Sequence, residues 1–229
     1  MFGVLKKKGI SRVGDADEGE LAKAQSLVSK GIDFRVAIRK PITWLVLLSC
    51  TLAVIASSSI LQHAIPTMVV SGFSPTQATG IISALSLVMI VTGPFIGYIC
   101  DKFRLSIAAV GSALCFAGSA AGLSLLSVSK NAVVIYAVLY TFGVATVNII
   151  SPLLMNYMYG EKDMPRFIGY INIFIAVGGA FGAAGLAALY EYFGSYQIPW
   201  MIMAGVLVLV AVIRGISTSK NRKYTPDES

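Results

Sequence analysis

The chain has 229 residues, of which 56% are hydrophobic and 13% charged, and its mean hydropathy is +0.77. These values exclude a water-soluble domain with a polar surface and indicate a protein embedded in a lipid bilayer. The net charge of +7 is a poor indication of nucleic-acid binding, because the basic residues are spread along the boundaries of the apolar runs. The single His and three scattered Cys form no metal-ligand or disulfide pattern, so we expect no enzyme activity, no metal and no cofactor.

The first 40 residues are the polar part of the chain. Lysines near the start are followed by an acidic cluster, and residues 20–28 have the spacing of a short amphipathic helix. The apolar residues at the very start are too few for the core of a signal peptide. We expect residues 1–40 to form a cytoplasmic arm, residues 41–218 the membrane domain and residues 219–229 a cytoplasmic tail.

The rest of the chain alternates between long apolar runs and short polar turns. No Asp, Glu, Lys or Arg occurs between Pro41 and Cys100, which is enough for two membrane helices of about 20 residues each. Arg214 begins the basic end of the last run, so we expect no charged side chain deep in any span. The pattern predicts an all-α membrane protein with six spans, near residues 43–69, 79–99, 106–127, 132–158, 167–189 and 198–216.

Basic residues test this topology independently. With six spans, both termini lie on one side of the membrane, together with the loops near residues 101–104 and 161–166. All of the Lys and Arg residues except Lys130 then lie on that side. Because basic residues are enriched in cytoplasmic loops, both termini are predicted to be cytoplasmic.

Small residues and prolines recur at corresponding positions. Gly118 and Gly122 are four residues apart in the third span, and Gly178, Gly182 and Gly185 share a face of the fifth, which predicts close helix packing. The first and fourth spans each carry a late proline, whereas the second and fifth each carry Gly-x-x-x-Gly. This correspondence fits two repeats of three helices.

The turn after the second span carries a recognisable motif. Gly93 and Gly97 share a helix face, which predicts close approach of another helix, and Asp101, Lys102 and Arg104 mark the exit from the membrane. The charges alone fit an ordinary turn equally well. Their order resembles the Gly-x-x-x-Asp-Arg/Lys-x-Gly-Arg/Lys loop of the major facilitator superfamily of transporters, although Arg104 stands where that signature has a glycine.

The resemblance extends over residues 33–218. Asp33–Arg35 with Pro41–Trp44 resembles the run that leads into the seventh helix of bacterial oxalate/formate and monocarboxylate transporters, and His63–Pro66 with Gly72–Ser74 resembles that helix and the loop after it. Pro152–Gly160, with Arg166 and Gly169, is similar to their tenth-to-eleventh connection. The resemblance implies that this chain corresponds to the last six helices of a twelve-helix transporter. It also implies that residues 1–40 match the loop between the halves, and that the partners are a second six-helix unit, a small-molecule solute and the lipid bilayer.

Polar side chains inside the spans are the candidates for a solute pathway. Ser59, Gln62, His63 and Thr67 have the spacing of one helix face, and a hydrogen-bonded contact between helices is as good an explanation of His63 as a ligand. Of these residue types, histidine alone has an unperturbed pKa near neutral pH. The other candidates are on the fourth and fifth spans: Asn148, Ser151 and Asn156, and Asn172.

One departure from the resemblance leaves the substrate open. Relatives that carry dicarboxylates usually have an Arg in the eighth helix and a Lys in the eleventh, and the corresponding stretches around Gly93 and Asn172 have neither. Two functions fit the sequence. One is half of a secondary transporter that moves a small organic solute by alternating access, and the other is a membrane interaction or regulatory protein, or a remnant gene product, with the same fold.

Overall fold

The computed structural model describes residues 33–102, 105–160 and 163–220. A short helix, Phe34–Ala37, precedes six helices that are long and apolar enough to cross a membrane. The first, second and third spans are Pro41–Val70, Pro75–Lys102 and Leu105–Leu125. The fourth span consists of a first segment, Ala132–Gly143, a π-helical segment, Thr146–Ile150, and a last segment, Ser151–Tyr159. The fifth and sixth spans are Met164–Phe193 and Gln197–Lys220.

The prediction of an all-α membrane protein with six spans is confirmed, and the differences lie at the helix ends. The second span begins at Pro75 because Ser74 and Gln77 form a reciprocal cap. The Ser74 hydroxyl accepts from the Gln77 backbone N–H at 3.2 Å, and the Gln77 side chain accepts from the Ser74 N–H at 3.0 Å. The fifth span ends at Gly194, whose φ of +66° is the left-handed conformation that stops a helix without steric cost.

Four pairs of spans make most of the contacts between helices. The first span packs against the fifth and the sixth, and the third packs against the fourth and the sixth. The two halves of the chain can be compared by exchanging them, so that the first span takes the place of the fourth, the second that of the fifth and the third that of the sixth. Most of the contacting pairs of spans are the same after this exchange. The arrangement therefore fits two three-helix repeats.

Glycines allow two of these contacts to be close. A methyl group on Gly178 would lie 2.9 Å from the Thr51 carbonyl oxygen of the first span. On the third span, a methyl group on Gly122 would lie 2.8 Å from the backbone nitrogen of Tyr136. These distances are shorter than real Cβ contacts, so the predicted packing role of these glycines is confirmed. Gly185 differs, because nothing in the described residues lies within 4 Å of its position.

The second and fifth spans are the least covered helices of the molecule. Only 11% of the most apolar stretch of the second span and 17% of that of the fifth are buried, against 39–50% for the other four. Gly93 and Gly97 lie on the second span, and no described atom comes within 4 Å of a methyl group placed on either. The close helix contact predicted at these two glycines is therefore absent from the described part of this chain.

Contacts between turns define the two ends of the bundle. At the end called here the Lys130 end, the Lys130 ammonium donates to the Gly72 carbonyl at 2.7 Å, and the Ser124 hydroxyl donates to the Gln197 carbonyl at 2.9 Å. At the opposite end, called the Asp163 end, the Asp163 carboxylate accepts from the Phe34 backbone N–H at 2.8 Å. The turns after the first, third and fifth spans therefore lie together, as the six-span topology requires.

Two hydrophobic clusters occupy the two ends. The larger one, toward the Lys130 end, contains residues of all six spans, most of them from the first, third, fourth and sixth, and includes Ile60, Met68, Phe116, Tyr136 and Trp200. The second cluster, toward the Asp163 end, contains Val46, Leu47, Cys50, Leu154, Met155, Phe167 and Ile171. The fourth span contributes its first segment to the larger cluster and its last segment to the other.

The predicted amphipathic stretch at 20–28 and the tail after residue 220 lie outside the described residues. The assignment of residues 1–40, 41–218 and 219–229 to an arm, a membrane domain and a tail stays a prediction.

Candidate functional site

The polar side chains of the first span are engaged by neighbouring helices. Ser59 is buried, and its hydroxyl lies 2.7 Å from the Gly182 carbonyl oxygen of the fifth span and 2.8 Å from the Ile55 carbonyl oxygen of its own span. The close approach at Gly182 brings this carbonyl within reach, because a larger residue would collide with Ile55 and Ser58. Ser59 therefore serves the contact between the first and fifth spans.

His63 makes the next contact along the same helix. Its Nε2 lies 3.0 Å from the Ala183 carbonyl oxygen of the fifth span, so Nε2 carries the proton and donates it. The other ring nitrogen, Nδ1, is buried and has no hydrogen-bond partner among the described residues. The ring also lies 6.0 Å, centroid to centroid, from Tyr196. His63 thus connects the first span to the Lys130 end of the fifth.

Thr67 connects the first span to the sixth. The Trp200 indole N–H donates to the Thr67 hydroxyl at 3.0 Å, and this hydroxyl donates to the His63 carbonyl at 2.6 Å. Trp200 is fully buried, so the Thr67 oxygen supplies the acceptor that its indole N–H needs. Partial burial and the neighbouring Tyr190 raise the pKa of Tyr196, so this phenol is neutral next to the His63 ring.

Gln62 behaves differently from the other three candidates of this span. Its side chain is exposed, whereas Ser59 and Thr67 are buried and His63 is half-buried. At about 100° per residue, Gln62 lies at one edge of an arc of about 140° that the four positions cover. The four positions therefore share one side of the helix, but one edge of this arc is open and the rest is packed.

The candidates of the fourth span are also divided. Asn148 is exposed, Asn156 is half-buried, and the Ser151 hydroxyl is buried against the sixth span. The π-helical segment around Asn148 has a wider turn than an α-helix, which shifts the phase between Asn148 and the residues after it. Pro152 lacks a backbone N–H and cannot complete the regular hydrogen-bond pattern there. The predicted common face of this span is therefore interrupted.

Three exposed amides remain, one on each of three spans: Gln62, Asn148 and Asn172. None of them makes a side-chain hydrogen bond to another described residue. At about 1.5 Å per residue, Asn148 lies about 17 Å, and Asn172 about 12 Å, from the helix end at the Asp163 side. Both depths correspond to hydrocarbon, where an amide without partners is costly.

Arg214 is the residue that the sequence analysis missed. It was expected to mark the end of the last span, but the sixth helix continues to Lys220 and the Arg214 side chain is fully buried. Its Nη2 donates to the Ser151 hydroxyl at 3.1 Å, and the Cys50 thiol of the first span lies near the guanidinium group. The five uncharged residues that follow Arg214 were the available signal that the helix extends beyond it.

The loop motif is described only in part. Lys102 is exposed, and its ammonium lies 5.6 Å from the centre of the Tyr98 ring. The backbone of Asp101 belongs to the last turn of the second span, and Arg104 lies outside the described residues. The predicted contact of Asp101 with neighbouring helix ends stays a prediction.

Comparison with known protein families shows to which family this six-helix chain belongs. The sequence profile described as Major Facilitator Superfamily matches residues 4–160, which is more than half of the chain. The chain belongs to the major facilitator superfamily. Members of this superfamily are transporters, which agrees with the six apolar helices and the membrane setting. The comparison with curated proteins gave no match, and the similarity to oxalate/formate and monocarboxylate transporters stays a prediction.

Proposed function

We propose that this chain is one half of a secondary active transporter, which moves a small organic solute by alternating access together with a second six-helix unit. Membership of the superfamily supports transport in general. The two uncovered helices support the need for a second unit, because most of the surface of the second and fifth spans has no contact with the described part of the chain.

The observation that carries this proposal is the set of three exposed amides. In lipid, Gln62, Asn148 and Asn172 would each lose hydrogen bonds to water without replacement, which costs roughly 1–3 kcal/mol per group. A water-filled cavity between two six-helix units removes this cost. We assign these three residues, with Asn156 and the first-span group Ser59, His63 and Thr67, to the solute pathway and to its supporting contacts.

The proposal includes an orientation. The Asp163 end lies on the cytoplasmic side of the cell membrane, because nearly all of the basic residues belong to that end of the bundle. Asp101 and Lys102 are the last residues of the second span at this end, Arg104 follows them in the sequence, and Gly93 and Gly97 lie earlier on the same helix. Asp101 would hold the cytoplasmic helix ends together through charge and helix-terminus interactions in the state closed to the cytoplasm, and these contacts break when that side opens.

Site-specific labelling tests the orientation. In a variant without Cys50, Cys100 and Cys115, single cysteines replace Ser74 or Lys162, and intact cells are treated with a membrane-impermeant maleimide. We expect Ser74→Cys to react from outside and Lys162→Cys to react only after the cells are opened. Labelling of both positions from the same side would contradict the six-span topology.

The same background tests the water path. Asn148→Cys and Asn172→Cys should react with a small water-soluble maleimide in membranes that contain the second unit, because thiols react as thiolates in water. Leu114→Cys on the third span is the control, since this exposed apolar position is expected to face lipid. Equal, slow labelling at all three positions would contradict the pathway and favour a protein that uses the fold without transport.

A further inference from the structure

The buried arginine of the sixth span lies at a junction of three helices. Arg214 donates to Ser151 of the fourth span and interacts with Cys50 of the first, and all three side chains are buried. Arg214 is six residues before the end of the sixth span at Lys220, or about 9 Å at the rise of an α-helix. A buried charged group at this depth is rare and costly, which indicates a specific role.

Ser151 is the first residue of the last segment of the fourth span. It follows the π-helical segment directly and precedes Pro152. The fourth span therefore has its weakest backbone hydrogen bonding immediately before the point that Arg214 holds. The contact to Arg214 fixes the last segment at its first residue.

The two segments of the fourth span are held by different neighbours. The first segment ends at Gly143, where an added methyl group would lie 2.6 Å from the Phe116 Cα atom of the third span. The last segment packs into the cluster at the Asp163 end, with Cys50, Phe167 and Ile171. The first segment is thus attached to the third span, and the last segment to the first, fifth and sixth.

We propose that Arg214 is a positioning residue of the transport cycle, which holds the last segment of the fourth span against the first and sixth spans. When this contact is released, the fourth span bends at its π-helical segment, and the last segment moves while the first segment stays on the third span. Arg214 itself is fully enclosed and does not bind solute in this conformation. Only its meaning for transport rests on the proposed function, since the release can be measured without a solute.

Two native cysteines report this movement. Cys50 is buried beside Arg214, and Cys115 is half-buried on the third span, next to Phe116. In a Cys100→Ser background, the rate of N-ethylmaleimide labelling of each cysteine is measured by mass spectrometry in membranes. Neither Arg214→Gln nor Ser151→Ala adds a group that reacts with maleimide, so faster labelling of Cys50 reports greater access.

We expect Arg214→Gln and Ser151→Ala to accelerate Cys50 labelling by on the order of tenfold, the scale of losing one hydrogen bond to a charged group, and to leave Cys115 unchanged. Arg214→Lys keeps the charge and should restore part of the protection. Arg39→Gln, at an exposed arginine of the same end, should leave both cysteines as in the wild type.

Two results would overturn the proposal. One is unchanged Cys50 labelling in the variants that accumulate, and the other is a parallel rise at Cys50 and Cys115, which indicates general loosening of the bundle. If Arg214→Gln does not accumulate, Ser151→Ala decides the question, because it removes a single hydroxyl group. Absence of solute transport in a separate assay would bear on the proposed function and leave this result untouched.

Discussion

Glycines of the fifth span differ in what surrounds them, although the sequence places them on one face. Gly178 and Gly182 contact the first span, whereas the space around Gly185 is open in the described part of the chain. The sequence predicted the close contact correctly but not where it ends. The limit depends on the direction in which the two helices diverge, and helical spacing does not contain that information.

Alanine substitution separates these positions. Gly182→Ala places a methyl group against the Ile55 carbonyl and the Ser58 side chain, which we expect to cost about 1–3 kcal/mol. Since about 1 kcal/mol shifts the melting temperature of a chain of this size by about 2–4 °C, the loss is measurable in detergent by fluorescence-detected size exclusion after heating. Gly185→Ala is the matched control and should melt at or a few degrees above the wild type, because alanine favours a helix over glycine by about 0.5–1 kcal/mol. Equal melting of both variants would contradict the close first-to-fifth contact.

The Thr67–Trp200 hydrogen bond gives a second test at a single residue. Thr67→Val preserves shape but leaves the buried indole N–H without its acceptor, which costs about 1–3 kcal/mol. Thr67→Ser keeps the hydroxyl and should recover most of that loss. Thr79→Val provides a control, because the Thr79 hydroxyl is exposed and bonds only to carbonyls of its own helix. A Thr67→Val variant as stable as Thr79→Val would show that Trp200 does not depend on this contact.

His63 allows a distinction between packing and pathway. We expect His63→Ala to impair transport in the assembled protein while its amount in the membrane stays nearly unchanged. The measurement is solute uptake compared with the amount of protein on an immunoblot. Full activity of the variant would indicate that His63 serves the helix contact with Ala183 and has no role in the pathway.

Among the elements, the fourth span shows most clearly which features can be predicted from the sequence and which cannot. Its existence and both ends were predicted, because hydrophobicity and turn residues are local properties. Its polar face was not, because the π-helical segment changes the phase in the middle of the helix. Pro152 indicated a break, but the type of break depends on neighbours such as Phe116 and Arg214, which are distant in sequence.

The second span has few contacts with the rest of the bundle. It has little buried surface, and at the Lys130 end the Lys130 ammonium donates to Gly72 and lies 5.5 Å from the centre of the Phe73 ring, in the turn before this span. This contact explains why one basic residue occurs on the side that otherwise lacks them. It also predicts that this end of the second span depends on Lys130.

Hydrogen exchange measures this dependence. Lys130→Met should accelerate amide exchange in residues 72–80 by on the order of threefold to tenfold, the scale of an exposed charge-assisted contact of about 0.5–1.5 kcal/mol. Lys130→Arg keeps a donor and should exchange more slowly than the methionine variant. Exchange in the fifth span near Gly185 serves as the internal reference. No difference between Lys130→Met and the wild type at residues 72–80 would contradict the contact.

For the whole molecule, the sequence was sufficient for the number of spans, their order and the grouping of the turns at each end. It was insufficient for the partners of individual polar side chains. Ser59, His63 and Thr67 find theirs on the fifth and sixth spans, and Arg214 finds its partners on the first and fourth. Helical periodicity identifies which residues share a side of one helix, but the identity of the helix opposite is a property of the assembled bundle.

The central claim at this scale is that the uncovered second and fifth spans contact a second six-helix unit. Photo-crosslinking tests it most directly, with benzoylphenylalanine in place of exposed Leu87 or Val91 on the second span, or Phe181 on the fifth. The same group in place of Val212, an exposed position on the sixth span, is the control. In native membranes, we expect the first three positions to form a crosslink to one further membrane protein unit, either a separate six-helix chain or a second copy, and Val212 to give the uncrosslinked chain. Uncrosslinked chain at all four positions, from protein that nevertheless transports solute, would contradict the account.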